Sequence, residues 1–199
     1  VTYEAKTFNT PVTVVADPDA APGIPYLPPN IASQLGPANL PFHEDLYFGK
    51  IDFEPTDSDR FEASAQIREE NQRGGIGDGP VASSAALETV NNDKRFAVRW
   101  QHSGDFYFNE LLLTYETAVN APTAINYGNG YVYTWPHGSD DKSIVETGAA
   151  NPLATQNKGQ NGPAIQDDFT FNNLEWHGDH VVKMGFKKKL INLRAADAA

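Results

Sequence analysis

The sequence predicts an all-β fold, an antiparallel up-and-down meander of about seven strands. Three observations lead there. Apolar and polar residues alternate with period two in segment after segment, which puts one chemistry on each face of an extended strand. Helical spacing is scarce, because 14 prolines and 16 glycines interrupt most windows long enough for three turns. The connections between the alternating segments run long, short, long, short, long, short.

The first strand is expected at residues 2–8. In residues 46–54, Tyr47, Gly49, Ile51 and Phe53 share one face, with Lys50, Asp52 and Glu54 opposite. After the turn at residues 55–60, Phe61, Ala63, Ala65 and Ile67 alternate with Glu62, Ser64, Gln66 and Arg68. That pair reads as a hairpin. A second hairpin joins Phe96, Val98 and Trp100 through Ser103-Gly104-Asp105 to Leu111, Leu113 and Tyr115, with Leu112 falling on the polar face. In the third, Phe169 and Phe171 share one phase, whereas Leu174 and Trp176 take the other; a β-bulge near Asn172-Asn173 accounts for the slip. A turn at residues 177–180 leads into Val182, Met184 and Phe186.

The connections expected at residues 9–45, 71–93 and 118–163 are long for a compact domain, where loops beyond about 12–15 residues are uncommon. Strict alternation with tight turns is the pattern of a transmembrane β-barrel, with short periplasmic turns, long extracellular loops, an apolar outer face and a polar lumen face. A soluble β-sandwich used as a binding module, with carbohydrate as a candidate ligand, is the alternative, because one face of each of its sheets is buried. Phe61 and Trp100 lie beside short turns, where an interfacial girdle places aromatics. Lys188 shares the phase of Val182, Met184 and Phe186; about nine residues past the turn, it falls near the far interface of strands about 9–11 residues long.

Composition narrows the function. The 199 residues carry 15 Lys+Arg against 26 Asp+Glu, a formal charge of −11 that argues against nucleic-acid binding. No cysteine is present, so disulfide scaffolds, thiolate zinc sites and thiol nucleophiles are excluded. No apolar run approaches the roughly 20 residues of a membrane helix. The N-terminal residues show no signal-peptide pattern.

No residue is assigned to catalysis, metal or cofactor. Gly74-Gly75-Ile76-Gly77-Asp78-Gly79 lacks the following helix and the lysine of a phosphate loop and reads as a flexible loop. His177 and His180 flank a tight turn without further local ligands. Asp17, Asp19, Asp140 and Asp141 do not supply the six to eight oxygens of a calcium site. Glu54, Glu62, Glu110 and Glu116 space out along polar strand faces as in a hydrated lumen, and no nucleophile elbow is present. The substrate-binding candidates are Tyr127, Tyr131, Tyr133, Trp135 and His137 in the longest connection. If residues 131–135 are extended, Tyr131, Tyr133 and Trp135 share a face. They then either stack on a sugar or chelate or pack a small core of the loop's own.

Residues 41–50 (PFHEDLYFGK), 94–102 (KRFAVRWQH), 157–168 (NKGQNGPAIQDD) and 176–180 (WHGDH) resemble barrel segments of TonB-dependent outer-membrane receptors of proteobacteria, in the expected order and over most of the chain. The resemblance implies a 22-stranded barrel with an N-terminal plug in the Gram-negative outer membrane. It also implies energy from the TonB complex acting through the plug, and uptake of an iron chelate, cobalamin or an oligosaccharide. Neither a TonB box nor plug motifs are found, and the C-terminal residues lack the terminal aromatic of a complete barrel. The expectation is therefore a partial barrel domain over residues 1–199, a central segment of the wall. Its expected partners are the remaining barrel and plug, outer-membrane lipid and a small nutrient ligand.

Overall fold

A computed structural model describes residues 1–77, 79–175 and 177–197. Its strands are β1 (Thr2–Val14), β2 (Gly36–Phe53), β3 (Asp59–Gly74), β4 (Leu87–Ser103), β5 (Tyr107–Ala124), β6 (Gly130–His137), β7 (Asp140–Gly148), β8 (Gln156–Glu175), β9 (Asp179–Lys189) and β10 (Asn192–Asp197). All except β6 and β7 lie in one antiparallel sheet, in the order β1-β2-β3-β4-β5-β8, with β9 and β10 both on the far side of β8. Because β9 and β10 follow one another along β8, they form a single return lane. The sheet is thus a seven-lane meander, as the alternation predicts. It is also open: among the described residues β1 pairs only with β2, and β9 and β10 pair only with β8.

The strands run further than the alternation indicated, at the expense of the long connections. These shrink to residues 15–35, 75–86 and 125–155, and the last of them contains the β6–β7 hairpin. In the first and third connections prolines caused the shortfall, since they read as breakers; the residues gained from the second, 71–74 and 87–93, are mostly polar and contain none. Each proline in the main sheet sits where its lane has a free side or a broken ladder, so the missing N–H costs no ladder bond. Pro11 is on the edge strand β1. Pro37 and Pro41 pair with β1 but lie beyond Phe42, where the β2–β3 ladder ends. Pro122 pairs with β4 beyond Asn120, the last β5 residue paired with β8. Pro163 stands opposite the break between β9 and β10, where the Leu190 N–H donates to its carbonyl at 3.0 Å.

The register shift between Phe171 and Leu174 is the expected bulge. Trp176, assigned to the phase after it, lies outside the described residues. The short turns fall where expected, at residues 54–58, 104–106 and 177–178, the last with Asp179 and His180 already in β9.

Register assigns the faces. Ile51, Ala63, Val98, Leu113, Ile165 and Lys188 form one cross-strand row, and Phe53, Phe61, Trp100, Leu111, Asp167 and Phe186 the next, so the apolar rows carry a charge only at the β8–β9 side. No layer covers this face: Ile165 is 38% exposed and Ile51 72%, while Trp100 and Leu111 are half-buried among their neighbours. Aromatics bracket it. Phe61 stacks on Trp100 (centroids 6.3 Å) near the short turns, and Tyr3 on Tyr47 (4.9 Å) towards the long connections. Beyond Tyr47 the same face becomes charged, with Tyr3 donating to Asp45 at 2.7 Å and Lys94 3.5 Å from Glu69.

The opposite face carries ion pairs across the lanes. Lys50 lies 2.6 Å from Glu62, Arg95 3.4 Å and Lys189 2.7 Å from Glu116. Arg68 bridges Glu44 (2.6 Å), Asp93 (3.3 Å) and Glu70. Leu112 and Phe48 are apolar exceptions on this face, separated by Glu62, Gln66, Arg95 and Arg99 on the lanes between them.

Buried apolar side chains lie elsewhere. Val14, Ala20, Ile76, Ala82, Ala124 and Val145 all sit at the end of the sheet that bears the long connections. That end is a cap with its own core. The glycine run belongs to it: Ile76 is buried, and Gly77 holds φ +107° with no room for a side chain beside Val12. Among the described residues no helix is long and apolar enough to cross a membrane.

Candidate functional site: the loop cap

Three connections build the cap. The first folds into a proline-rich 3-10 segment, Pro18–Tyr26, whose start is held by Asp17 accepting from the Asp19 N–H at 2.9 Å. The second crosses beneath the hairpin, with its Ala82 N–H donating to the Glu146 carbonyl (2.8 Å) and its Pro80 carbonyl accepting from the Glu146 N–H (2.8 Å). The third supplies β6 and β7, paired antiparallel with a shift between Tyr133 and Thr134 that leaves Ile144 as the extra residue. Ile144 and Val145 are both buried in consequence.

β6 is extended through residues 130–137, so Tyr131, Tyr133 and Trp135 alternate onto one face. They are not equally available. Trp135 is half-buried, stacks on Tyr26 (5.5 Å, 15°) and fits against Gly23. Tyr133 is half-buried beside it in β6. His137 is exposed, with Nε2 3.7 Å from Asp19 Oδ2. Tyr131 (55% exposed) and Tyr127 (77%) are left open to solvent. The structure therefore separates the five candidates into a packed group around Trp135 and an exposed pair. At Gly23 an added Cβ would lie 2.6 Å from Ile144 Cδ1 and 2.7 Å from Trp135 Cε3. Gly23→Ala is expected to destabilise the cap by about 1–3 kcal/mol, as overpacking does. Faster proteolytic cleavage within residues 125–155, with the sheet intact, is the readout.

Below Tyr131 a cleft of about 630 Å³ opens between the ends of β3 and β4 and the open end of the hairpin. Leu87, Asn129, Val132, Glu146 and Asn151 help to line it. A polar tie anchors the lining residue Thr147: Gln34 Oε1 accepts from Ser84 Oγ (2.7 Å) and Thr147 Oγ1 (2.5 Å), while the Gly148 N–H donates to Ser84 Oγ at 3.1 Å. Glu146 makes no ion pair among the described residues. Sequence reading missed Gln34, Ser84, Glu146 and Thr147. No local pattern marks them, since they meet across separations such as the 113 residues between Gln34 and Thr147.

A second polar cluster lies at the opposite end. Asp59 accepts from Trp100 Nε1 (3.0 Å) and Thr56 Oγ1 (2.8 Å), and His102 Nδ1 lies 2.8 Å away. The contacts from His102, Trp100 and Thr56 hold its carboxyl at about 2, below its ordinary 3.8. They clamp the β2–β3 turn to β4. Asp59 adds stability above about pH 4, and that contribution fades as pH falls towards 2, because only the folded carboxyl stays ionised in this window. Asp59→Asn is expected to unfold more readily than the wild type at pH 6, with the gap closing by pH 2; parallel melts across pH check it. Among the described residues, no group of three or more His, Asp or Glu side chains is placed to hold a metal ion.

These features define the class structurally, as an open amphipathic β-meander with a loop-built cap at one end. No protein-family model matches the chain, nor does any curated protein or solved structure.

Proposed function

We propose that this chain is part of the wall and the extracellular loops of a TonB-dependent receptor in a Gram-negative outer membrane. In this reading it serves active uptake of a scarce nutrient and has no catalytic role. One observation carries the reading: a seven-lane antiparallel sheet leaves a broad apolar band on one face uncovered while its buried core sits in the cap. In water such a face has no partner layer, and exposing it opposes folding. In a bilayer, lipid is the partner.

Aromatics at both borders of the apolar stretch of β2, Tyr47 and Phe53, match the paired aromatic girdles of outer-membrane barrels. The ion-paired face suits a hydrated lumen. Open edges at β1 and at β9–β10 call for neighbouring strands, because unpaired backbone groups are costly in hydrocarbon. The remaining barrel provides those strands, and the plug and TonB complex provide gating and energy.

Fractionation of cells with antibodies to residues 125–155 tests this. The expected result is an outer-membrane species that needs detergent for extraction and is several times heavier than 21.8 kDa. A soluble, monodisperse species at 21.8 kDa would overturn the reading in favour of a water-soluble binding module.

A further inference from the structure

We infer that the cap cleft beneath Tyr131 binds a neutral polyhydroxylated ligand, an oligosaccharide, in preference to an anionic iron chelate. This deepens the receptor reading and rests on it only for the cap's exposure outside the cell.

Charge at the cap disfavours an anion. The three cap connections, residues 15–35, 75–86 and 125–155, contain the acids Asp17, Asp19, Asp78, Asp140, Asp141 and Glu146 against a lone cation, Lys142. The summed field of such a surface repels anions approaching it. An anionic chelate held here has no arginine or lysine in the cleft lining to receive it. A neutral ligand meets no such barrier.

The chemistry of the walls fits a sugar. Sugar rings present apolar C–H faces and a rim of hydroxyls. Tyr131 at the cleft and Tyr127, next to the lining residue Gly128, are open aromatic faces of the kind that stack on such rings. Glu146, opposite Val132 on the other face of the hairpin from Tyr131, also lines the cleft and makes no ion pair among the described residues, so its carboxylate is an acceptor able to take two adjacent hydroxyls. Asn129 and Asn151 line the same cleft, and their side chains bear amides that both donate and accept. The volume, about 630 Å³, is in the range of small-ligand sites. Trp135 and Tyr133, packed into the hairpin, hold the β6 face on which Tyr131 stands.

The test is calorimetric titration of the detergent-purified full-length protein with maltohexaose, xylohexaose and chitohexaose, and with ferric citrate as the anionic chelate. At least one hexasaccharide is expected to bind while ferric citrate does not. Tyr131→Ala should weaken that binding tenfold or more and Glu146→Gln several-fold, with the resistance of residues 125–155 to proteolysis unchanged. Ferric citrate binding as tightly as the sugars would overturn the inference. So would a wild type that binds none of the three hexasaccharides, or sugar binding indifferent to both substitutions. Membrane fractionation reads the receptor assignment separately, so either can fail without the other.

Discussion

Replacing Val98 with arginine is expected to destabilise the protein in a bilayer or detergent micelle by about 2–4 kcal/mol, the cost of a lipid-facing cation near the midplane of a barrel. Val98 is 49% exposed in the middle of the apolar face, between Ala63 and Leu113 on the neighbouring lanes. In water the same change places a charge on a solvated surface and shifts stability by no more than about 0.5 kcal/mol. Thr114→Arg, one residue past Leu113 and on the ion-paired face, is the internal control and is expected to be nearly neutral in both settings. Urea unfolding from lipid vesicles measures both variants. Equal, small effects would remove lipid as the partner of the apolar face, and with it the main support for the membrane assignment.

Arg68→Met is expected to cost about 3 kcal/mol, the lower end of the range for stripping a cation from buried carboxylates. Glu44 and Glu70 are 8% and 5% exposed, and Arg68 joins them across β2 and β3 while also reaching Asp93 on β4. Its removal leaves Glu44 with Lys6 at 3.0 Å and Glu70 with the Asn91 amide at 3.1 Å. The triple change Arg68→Met, Glu44→Gln, Glu70→Gln should recover most of the loss, because no buried carboxylate is then left unpaired and Asp93, the remaining partner, is half-exposed to water. Unfolding midpoints of the two variants decide it. A loss below about 0.5 kcal/mol in the single variant would mean that the cluster is solvated in the native state and ties no strands together.

How much of this was legible in sequence depends on the range over which the causes act. Alternation is set by neighbouring residues, so Phe61 to Ile67, Phe96 to Trp100 and the bulge after Phe171 were readable from local pattern alone. The long connections were not. Pro37, Pro41 and Pro122 look like breakers until the neighbouring ladder is known to end at Phe42 or Asn120. Likewise Tyr131, Tyr133 and Trp135 were expected to share a face, and they do. That Trp135 is packed under Tyr26 while Tyr131 stays open is a matter of contacts with a segment more than a hundred residues away.

The number of lanes in the main sheet, face chemistry, the bulge and the positions of the tight turns followed from the sequence itself, because each rests on φ/ψ preference and a period of two; the separate β6–β7 hairpin and the division of the last lane into β9 and β10 did not. Tertiary structure decided that the sheet is open, that the buried core gathers in the cap instead of under the sheet, and that a cleft forms beside Glu146. Those outcomes depend on which distant segments meet, and Gln34, Ser84 and Thr147 converge through loop packing that has no period to read.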